Sequence, residues 1–221
     1  MKYLLTSAGI STPRIHTALA DLLGKPIAAS TALCIPTGVH PFPGGPAMAY
    51  RFVSGATANP LCGIGWKSLG LLELTALPSI PKEHWVAAVR EADALLVQGG
   101  DVMYLCRWMR ESGLADLLPS LDELVYVGVS AGSMVTAPVF GETYDDPAAP
   151  FVIAPGLDLV DVALLPHVDH PDHPESSMAR VERLAAELPV PLYAIDDQTA
   201  LSVVGGAVDV VSDGNWALFP A

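Results

Sequence analysis

The sequence predicts an α/β fold in three layers, in which a mostly parallel central sheet carries helices on both faces. Three observations predict it. Continuous apolar runs such as 94–97 and 124–128 are typical of strands that are buried on both sides. Segments with a helical period alternate with these runs, as expected for parallel strands joined by helical crossovers. Near the C-terminus, short strand-like runs around Gly205-Gly206 predict an antiparallel edge.

The individual elements follow from the same patterns. Pro13 opens the first predicted helix, 13–23, because proline is favoured in the first turn of a helix. The segment 36–46 is rich in glycine and proline and is predicted to be a loop, whereas 47–66 shows no clear pattern. The predicted strands are 3–7, 31–36, 69–75, 94–97, 124–128, 162–165, 192–195, 200–204, 207–211 and 216–219. The other predicted helices are 81–91, 102–118, a helix from Ser130 to about 138, and 176–188.

Length and charge limit the class of protein. With 221 residues the chain is predicted to form a single domain, residues 1–221, large enough to bury a core without disulfides or metals. The formal net charge of −13 argues against nucleic acid and anionic membranes as partners, since binding phosphates requires a basic surface. No apolar stretch reaches the roughly 18–20 residues of a membrane helix.

The cysteines and the N-terminal segment bear on the compartment of the protein. The three cysteines form no CxxC pair, which favours reduced thiols, and the N-terminal apolar run is too short for a signal peptide. We therefore expect a cytoplasmic protein. The oligomeric state stays open, with a homodimer among the alternatives.

A serine lies at the predicted junction between a buried strand and a helix. Residues 128–132 have the sequence Gly-Val-Ser-Ala-Gly, and Gly128 and Gly132 allow a tight turn. The turn would expose the Ser130 hydroxyl at the carboxyl end of the sheet, where the N–H of Ala131 can bind an oxyanion. Ser130 is therefore the candidate nucleophile. The alternative is a serine that only caps the helix N-terminus.

A second turn, Gly99-Gly100-Asp101, follows the strand 94–97. Its backbone N–H groups would lie beside the nucleophile and complete an oxyanion hole. By itself, the turn is more typical of an ordinary strand–helix connection in which Asp101 caps the next helix.

A general base is needed to activate a serine hydroxyl. His167 follows the strand 162–165 and so is predicted at the carboxyl edge of the parallel sheet, where such folds bind ligands. The stretch 167–173 also contains further histidines and aspartates, and a metal site is the alternative for this cluster. Because prolines interrupt it and no second ligand cluster stands out, no metal and no other cofactor is predicted.

Four aspartates could orient this histidine as the third member of a triad. Asp145 and Asp146 lie in the loop after the nucleophile, and Asp196 and Asp197 follow the strand 192–195. Topology favours Asp197. The alternative for all four is an ordinary surface carboxylate.

Five segments together resemble a known family of serine hydrolases. They are Leu4-Leu5-Thr6-Ser7-Ala8-Gly9, Val97-Gln98-Gly99-Gly100-Asp101, Gly128-Val129-Ser130-Ala131-Gly132, Leu165-Pro166-His167 and Ile195-Asp196-Asp197-Gln198-Thr199-Ala200. The chain resembles peptidase E, the aspartyl dipeptidases and, more distantly, the cyanophycinases. The resemblance spans nearly the whole chain and implies a class I glutamine amidotransferase-like fold.

The resemblance implies roles for individual residues. Ser130 would be the nucleophile, His167 the base, and Asp197 or Asp145 the acid. These enzymes often carry a glutamate where this chain has Asp197, so the shorter side chain departs from the family pattern. The glutamine amidotransferases use a cysteine at the position of Ser130, which makes ammonia production unexpected here.

The implied substrate is a small peptide, most simply a dipeptide with an N-terminal aspartate. The family holds the aspartate carboxylate with an arginine on the helix after the catalytic histidine, which Arg180 matches, with Arg183 next. Both are notable because residues 111–221 contain eighteen carboxylates and no other cation. A guanidinium binds a carboxylate through two parallel hydrogen bonds. The alternative is that the two arginines form salt bridges on a helix surface.

Two other functions remain open. One is a hydrolase of the same family with a different substrate, such as a cyanophycin-type polymer, a non-aspartyl peptide or an ester. The other is a non-catalytic protein that binds a small ligand on the same fold.

Overall fold

The computed structural model describes residues 1–142 and 149–221. Its largest sheet has seven strands, which are β1 (Lys2–Thr6), β2 (Thr31–Ile35), β3 (Ser68–Leu71), β4 (Ala94–Val97), β5 (Val125–Val129), β10 (Thr199–Val204) and β11 (Ala207–Ser212). Their order across the sheet is β11-β10-β1-β5-β4-β2-β3. Five of them, β1 to β5, run parallel, whereas β10 pairs antiparallel with β1, and β11 pairs antiparallel with β10. The predicted fold class is confirmed.

The burial of the central strands explains why they are continuous apolar runs. All four residues of β4 are buried, because helices cover both faces of the sheet. Successive residues of β1 alternate between the two faces, so that Leu5 packs into one core cluster and Leu4 into the other. The turn at Gly205-Gly206 has positive φ at both residues, 58° and 83°, as a tight hairpin requires.

The described part of the chain contains seven α-helices. They are α1 (Pro13–Leu23), α2 (Gly45–Val53), α3 (Lys82–Glu91), α4 (Val102–Glu111), α5 (Leu114–Leu117), α6 (Ala131–Met134) and α7 (Met178–Ala185). Helix α1 begins at the N-cap Thr12, whose side chain accepts a hydrogen bond from the N–H of Ile15, and it ends at Gly24. Helices α1 and α2 pack on one face of the main sheet, and α3, α4 and α5 on the other. No helix among the described residues is long and apolar enough to cross a bilayer.

Two smaller sheets lie outside the main one. Strands β8 (Ala163–Leu165), β9 (Leu192–Ile195) and β12 (Trp216–Phe219) form a sheet in the order β12-β9-β8. Strands β6 (Val139–Glu142) and β7 (Val152–Pro155) pair antiparallel. The sequence patterns did not predict β6 and β7, which are only four residues long, although β7 is itself an apolar run.

Several predicted boundaries are wrong. The helix predicted at 102–118 is interrupted at Gly113, where a φ of 78° breaks the helical geometry. The helix after Ser130 ends at Met134 rather than at about 138, since the N–H groups of Thr136 and Ala137 bond three residues back instead of four. The strand predicted at 69–75 ends at Leu71.

Two further differences concern larger elements. The segment 47–66 had no clear pattern, yet most of α2 lies within it. Strands 162–165 and 192–195 were expected in the main parallel sheet, but β8 and β9 belong to the three-stranded sheet. Their carboxyl ends nevertheless converge on the carboxyl edge of the main sheet, as the contacts of the residues that follow them show.

Candidate active site

Ser130 occupies a strained turn between β5 and α6. Its φ of 51° and ψ of −118° lie outside the regions that side-chain-bearing residues favour. Its N–H donates to the carbonyl of Thr6 at 3.1 Å, which anchors the turn to the neighbouring strand β1. The side chain makes no capping hydrogen bond to α6, so the alternative of a simple N-cap does not describe its geometry.

Close backbone contact holds this turn in place. A Cβ atom on Gly132 would overlap the carbonyl of Val97 at the end of β4, and one on Gly128 would overlap the backbone of residues 132 and 133. The buried hydroxyl of Tyr126 donates to the Gly132 carbonyl at 2.7 Å. The two glycines are therefore required for the helix to approach the sheet so closely.

The turn at Gly99-Gly100 packs directly against Ser130. A Cβ on Gly99 would come within 2.9 Å of the Ser130 Cβ, and Gly100 has a φ of 127°, which favours glycine. Among the described residues, the N–H groups of Gly99, Gly100 and Ala131 have no hydrogen-bond acceptor. Asp101 caps α4 by accepting from the N–H of Tyr104 at 2.8 Å. The turn thus both begins a helix and leaves N–H donors beside the serine that have no acceptor within residues 1–142 and 149–221.

His167 and Asp197 meet at the ends of two strands of the smaller sheet. His167 lies two residues after β8 and Asp197 two residues after β9. The Nδ1 atom of His167 lies 2.6 Å from Oδ1 of Asp197, and the imidazole is largely buried. With Nδ1–H donating to the carboxylate, the other ring nitrogen, Nε2, is left as the basic one.

Ser7, which follows β1, connects these two residues. Its Oγ donates to Oδ1 of Asp197 at 2.7 Å and accepts from the backbone N–H of His167 at 2.9 Å. Sequence reasoning quoted Ser7 within a motif but assigned it no role. No local signal could have identified it, because its partners are 160 and 190 residues away in the chain.

The surroundings of Asp197 favour its charged form. Partial burial alone would raise its pKa, but the hydrogen bonds from His167 and Ser7 outweigh that effect. Together with the positive charges that His167 and His170 can carry, they lower the pKa of Asp197 to about 2. The carboxylate is therefore ionised throughout the neutral range.

Two more histidines surround the first. The ring of His173 stacks on that of His167, with centroids 4.3 Å apart, and its Nδ1 lies 2.8 Å from Oε1 of Glu175. His170 approaches Oδ2 of Asp197 at 3.8 Å. Within residues 1–142 and 149–221, no group of three or more His, Cys, Asp or Glu side chains is arranged to hold a metal ion.

Ser130 and His167 open onto one cavity of about 440 Å³. Within the part of the chain that the structure describes, no hydrogen bond joins Ser130 Oγ to His167 Nε2; in many unliganded hydrolases this contact tightens only with substrate. The cavity lining combines glycine turns, aromatic and aliphatic side chains, and two carboxylates. It comprises Pro41, Phe42, Pro43, Gly100, Asp101, Ser130, Ala131, Met134, Gly141, Phe151, Leu165, Pro166, His167, His173, Glu175 and Ser176.

The remaining predicted site residues lie elsewhere. Arg180 is buried on α7, where its guanidinium donates to the carbonyls of Glu175 and Ala149 and stacks on the ring of Phe151 at 4.8 Å. It does not line the cavity, whereas Phe151 does. Arg183 is exposed. Asp145, the alternative acid, falls outside the described residues.

The fold and this site define an α/β protein with a serine at a strand–turn–helix junction, facing a histidine–aspartate pair across one cavity. Residues 52–211 match the model of peptidase family S51, and the chain belongs to that family. A probable alpha-aspartyl dipeptidase of Drosophila melanogaster is 32% identical over 142 residues, which cover 61% of this chain and 59% of that relative.

Two crystal structures have the same fold. One is of a protein from Listeria monocytogenes EGD-e that is provisionally described as a peptidase E protein; its TM-score is 0.66 at 19% identity, over 96% of this chain and 98% of the other. The second is of a peptidase from an acI-B1 actinobacterium, with a TM-score of 0.66 at 18% identity, over 99% of this chain and 90% of the other. At these identities the likeness concerns the fold alone.

Proposed function

We propose that this chain is a serine peptidase that hydrolyses short peptides through an acyl-enzyme on Ser130. The observation that carries the proposal is the shared cavity, onto which Ser130, His167 and the turn at Gly100 all open. Asp197 holds the imidazole through Nδ1, which leaves Nε2 as the base. Membership of a peptidase family supports the reaction class.

The chemistry follows from these positions. Nε2 of His167 takes the proton of Ser130 Oγ as that oxygen attacks the scissile carbonyl carbon. The N–H groups of Gly100, Ala131 and Gly99 bind the oxyanion of the tetrahedral intermediate. The C–N bond then breaks while the His167 imidazolium protonates the leaving amine. Water, deprotonated by the same imidazole, attacks the ester carbonyl. The bond between the acyl carbon and Ser130 Oγ then breaks, and the imidazolium returns its proton to Oγ, which releases the acid and the free serine.

For the substrate we propose dipeptides with an N-terminal aspartate, as the name of the Drosophila relative suggests for that protein. Arg180 is the candidate to hold the aspartate side chain, because it is buried and stacks on the cavity-lining Phe151. Arg183, exposed on the same helix, is the second candidate. The described lining residues contain no lysine or arginine, so Arg180 would reach a substrate carboxylate from behind Phe151.

The reaction class is tested with Ser130→Ala and His167→Ala. Both variants should remain folded by circular dichroism and lose at least about 10³-fold in kcat on Asp-Ala. A fluorophosphonate probe should label the wild type on Ser130 and leave Ser130→Ala unlabelled, because only an activated hydroxyl reacts. A folded Ser130→Ala variant with wild-type turnover would refute the mechanism. A protein that only binds ligands would neither turn over peptides nor react with the probe.

Substrate preference is tested on a panel of Asp-Ala, Glu-Ala, Ala-Ala, a β-aspartyl-arginine dipeptide and an ester. Arg180→Met should lower kcat/KM for Asp-Ala relative to Ala-Ala by about 10-fold or more, since a charge-assisted pair is lost. Arg183→Met is the matched control and should leave that ratio unchanged if Arg180 binds the carboxylate. An unchanged ratio in both variants would exclude both arginines, and preference for another substrate would reassign the specificity.

A further inference from the structure

We infer that Ser7 is a positioning residue that sets both the acid and the base of the site, acting through Asp197 and His167 without touching substrate. The inference rests on the proposed function, because it assigns these two residues their catalytic roles. It is carried by geometry: one fully buried hydroxyl contacts the carboxylate of Asp197 and the backbone of His167.

The position of Ser7 itself is set by the main sheet. Thr6 pairs with Val129 in the parallel register of β1 and β5, so the next residues, Ser7 and Ser130, end adjacent strands at the same edge. The N–H of Ser7 donates to the carbonyl of Thr199 on the other neighbouring strand at 3.3 Å. Ser7 is therefore held between two strands, beside the nucleophile.

The hydroxyl of Ser7 joins this rigid edge to the smaller sheet. A hydroxyl has one proton to donate and two lone pairs to accept with. The proton goes to Oδ1 of Asp197, which follows β9, and a lone pair accepts the N–H of His167, which follows β8. Because β8 and β9 do not belong to the main sheet, these two bonds relate the acid and the base to the end of β1, the strand next to the one that leads to Ser130.

Each bond has a separate consequence. His167 has a φ of 59°, a left-handed conformation that a residue with a side chain adopts at a cost. The bond from its N–H to Ser7 Oγ favours this backbone conformation. It therefore fixes the position from which the imidazole side chain extends. The bond to Asp197 shares Oδ1 with Nδ1 of His167 and so limits how the carboxylate can turn. Ser7 Oγ lies 3.4 Å from Nδ1 itself, within the same small cluster.

The titratable and charged groups that face this cluster are few among the described residues. Asp197 and His167 are in direct contact with Ser7. His170 approaches Asp197, and His173 stacks on His167 and bonds to Glu175. When the Ser7 hydroxyl is removed, the Asp197 carboxylate loses the hydrogen bond that this hydroxyl donates. Its negative charge then attracts a neighbouring imidazolium more strongly. The acid limb of the kcat/KM profile should therefore move to higher pH.

The test compares Ser7→Ala with Ser30→Ala. Ser30 is also fully buried and donates one hydrogen bond to a backbone carbonyl, that of Pro26, but it lies immediately before β2, away from the site. We expect Ser7→Ala to lower kcat on the best dipeptide substrate by about 10-fold or more, with KM changed less than about 2-fold. Its acid limb should shift upward. Ser30→Ala should lose stability only, with wild-type kcat and pH profile.

The outcomes separate this inference from the proposed function. If Ser130→Ala is inactive while Ser7→Ala has wild-type kcat and an unmoved acid limb, the role of Ser7 is refuted and the mechanism stands. If Ser130→Ala retains activity, the mechanism itself fails. Should Ser7→Ala not fold, Ser7→Cys gives the same comparison, because it is nearly isosteric and retains only a weak S–H donor. Wild-type kcat in Ser7→Cys would then contradict the inference.

Discussion

The imidazole of His173 lies almost flat on that of His167, with ring centroids 4.3 Å apart and planes inclined by 15°. Glu175 holds His173 through Nδ1 at 2.8 Å. The candidate base is thus confined on two sides, by Asp197 at its edge and by His173 on its face. Both contacts limit the orientations from which Nε2 can reach Ser130.

The stacked ring should therefore affect turnover through orientation. We expect His173→Ala to lower kcat by about 3- to 10-fold, since a stacked aromatic pair contributes roughly 0.5–1.5 kcal/mol. His173→Phe keeps a flat ring but loses the bond to Glu175, and should retain kcat within about 2-fold. Steady-state kinetics on both variants measure the difference. Equal losses in the two variants would assign the effect to the Glu175 contact instead.

The two candidate acids can be separated by substitution. Asp197→Asn removes the charge that holds the Nδ1–H tautomer of His167, and we expect kcat to fall by about 10³- to 10⁴-fold. Asp145→Asn should retain kcat within about 2-fold if Asp197 is the acid. Rates of Asp-Ala hydrolysis for the two variants are the measurement. The reverse pattern would transfer the role to Asp145.

Asp197 also links stability to pH. Its pKa of about 2 in the folded protein lies below the ordinary value of about 3.9, so the ionised form favours folding. This contribution is fully present above about pH 5 and is lost as the pH falls towards 2. After an allowance for its partial exposure, Asp197→Asn should lower the free energy of unfolding at pH 7 by about 1–2 kcal/mol.

The link between Asp197 and stability is tested by comparing the free energies of unfolding of wild type and Asp197→Asn at several pH values. Urea denaturation at pH 7, 5 and 3 should show the difference between wild type and Asp197→Asn narrowing as the pH falls. Asp209→Asn, a change of the same kind on an exposed residue of β11, is the control and should differ little from wild type at every pH. A constant difference for Asp197→Asn across this range would contradict the assigned pKa.

The close approach of α6 to the sheet gives a prediction about packing. Gly132→Ala would place a methyl group on the Val97 carbonyl, and we expect a loss of about 1–3 kcal/mol in stability. It should also lower kcat, because the shift moves Ser130. Gly24→Ala is the control: that residue has a φ of 66° with open space around it, so it should lose about 1 kcal/mol and keep wild-type kcat. Wild-type kcat in Gly132→Ala would show that the turn tolerates the displacement.

Local patterns predicted those parts of the site that lie within one strand–turn–helix unit. Gly128 and Gly132 flank Ser130 in the sequence, and the structure shows backbone contact at both glycines. The turn at Gly99-Gly100 was likewise predicted from its position after a strand. In each case the residues that determine the geometry of the turn are near neighbours in the chain. The turn can therefore be predicted from the local sequence.

The sequence by itself determined the α/β class, the buried parallel strands and the order of the glycine turns, because apolar periodicity and backbone sterics act over a few residues. Only the tertiary structure decided that β8 and β9 form a separate sheet, that Ser7 bonds to both Asp197 and His167, and that Arg180 lies behind Phe151. These relations join residues far apart in the chain. They depend on how two sheets pack, which no local pattern records.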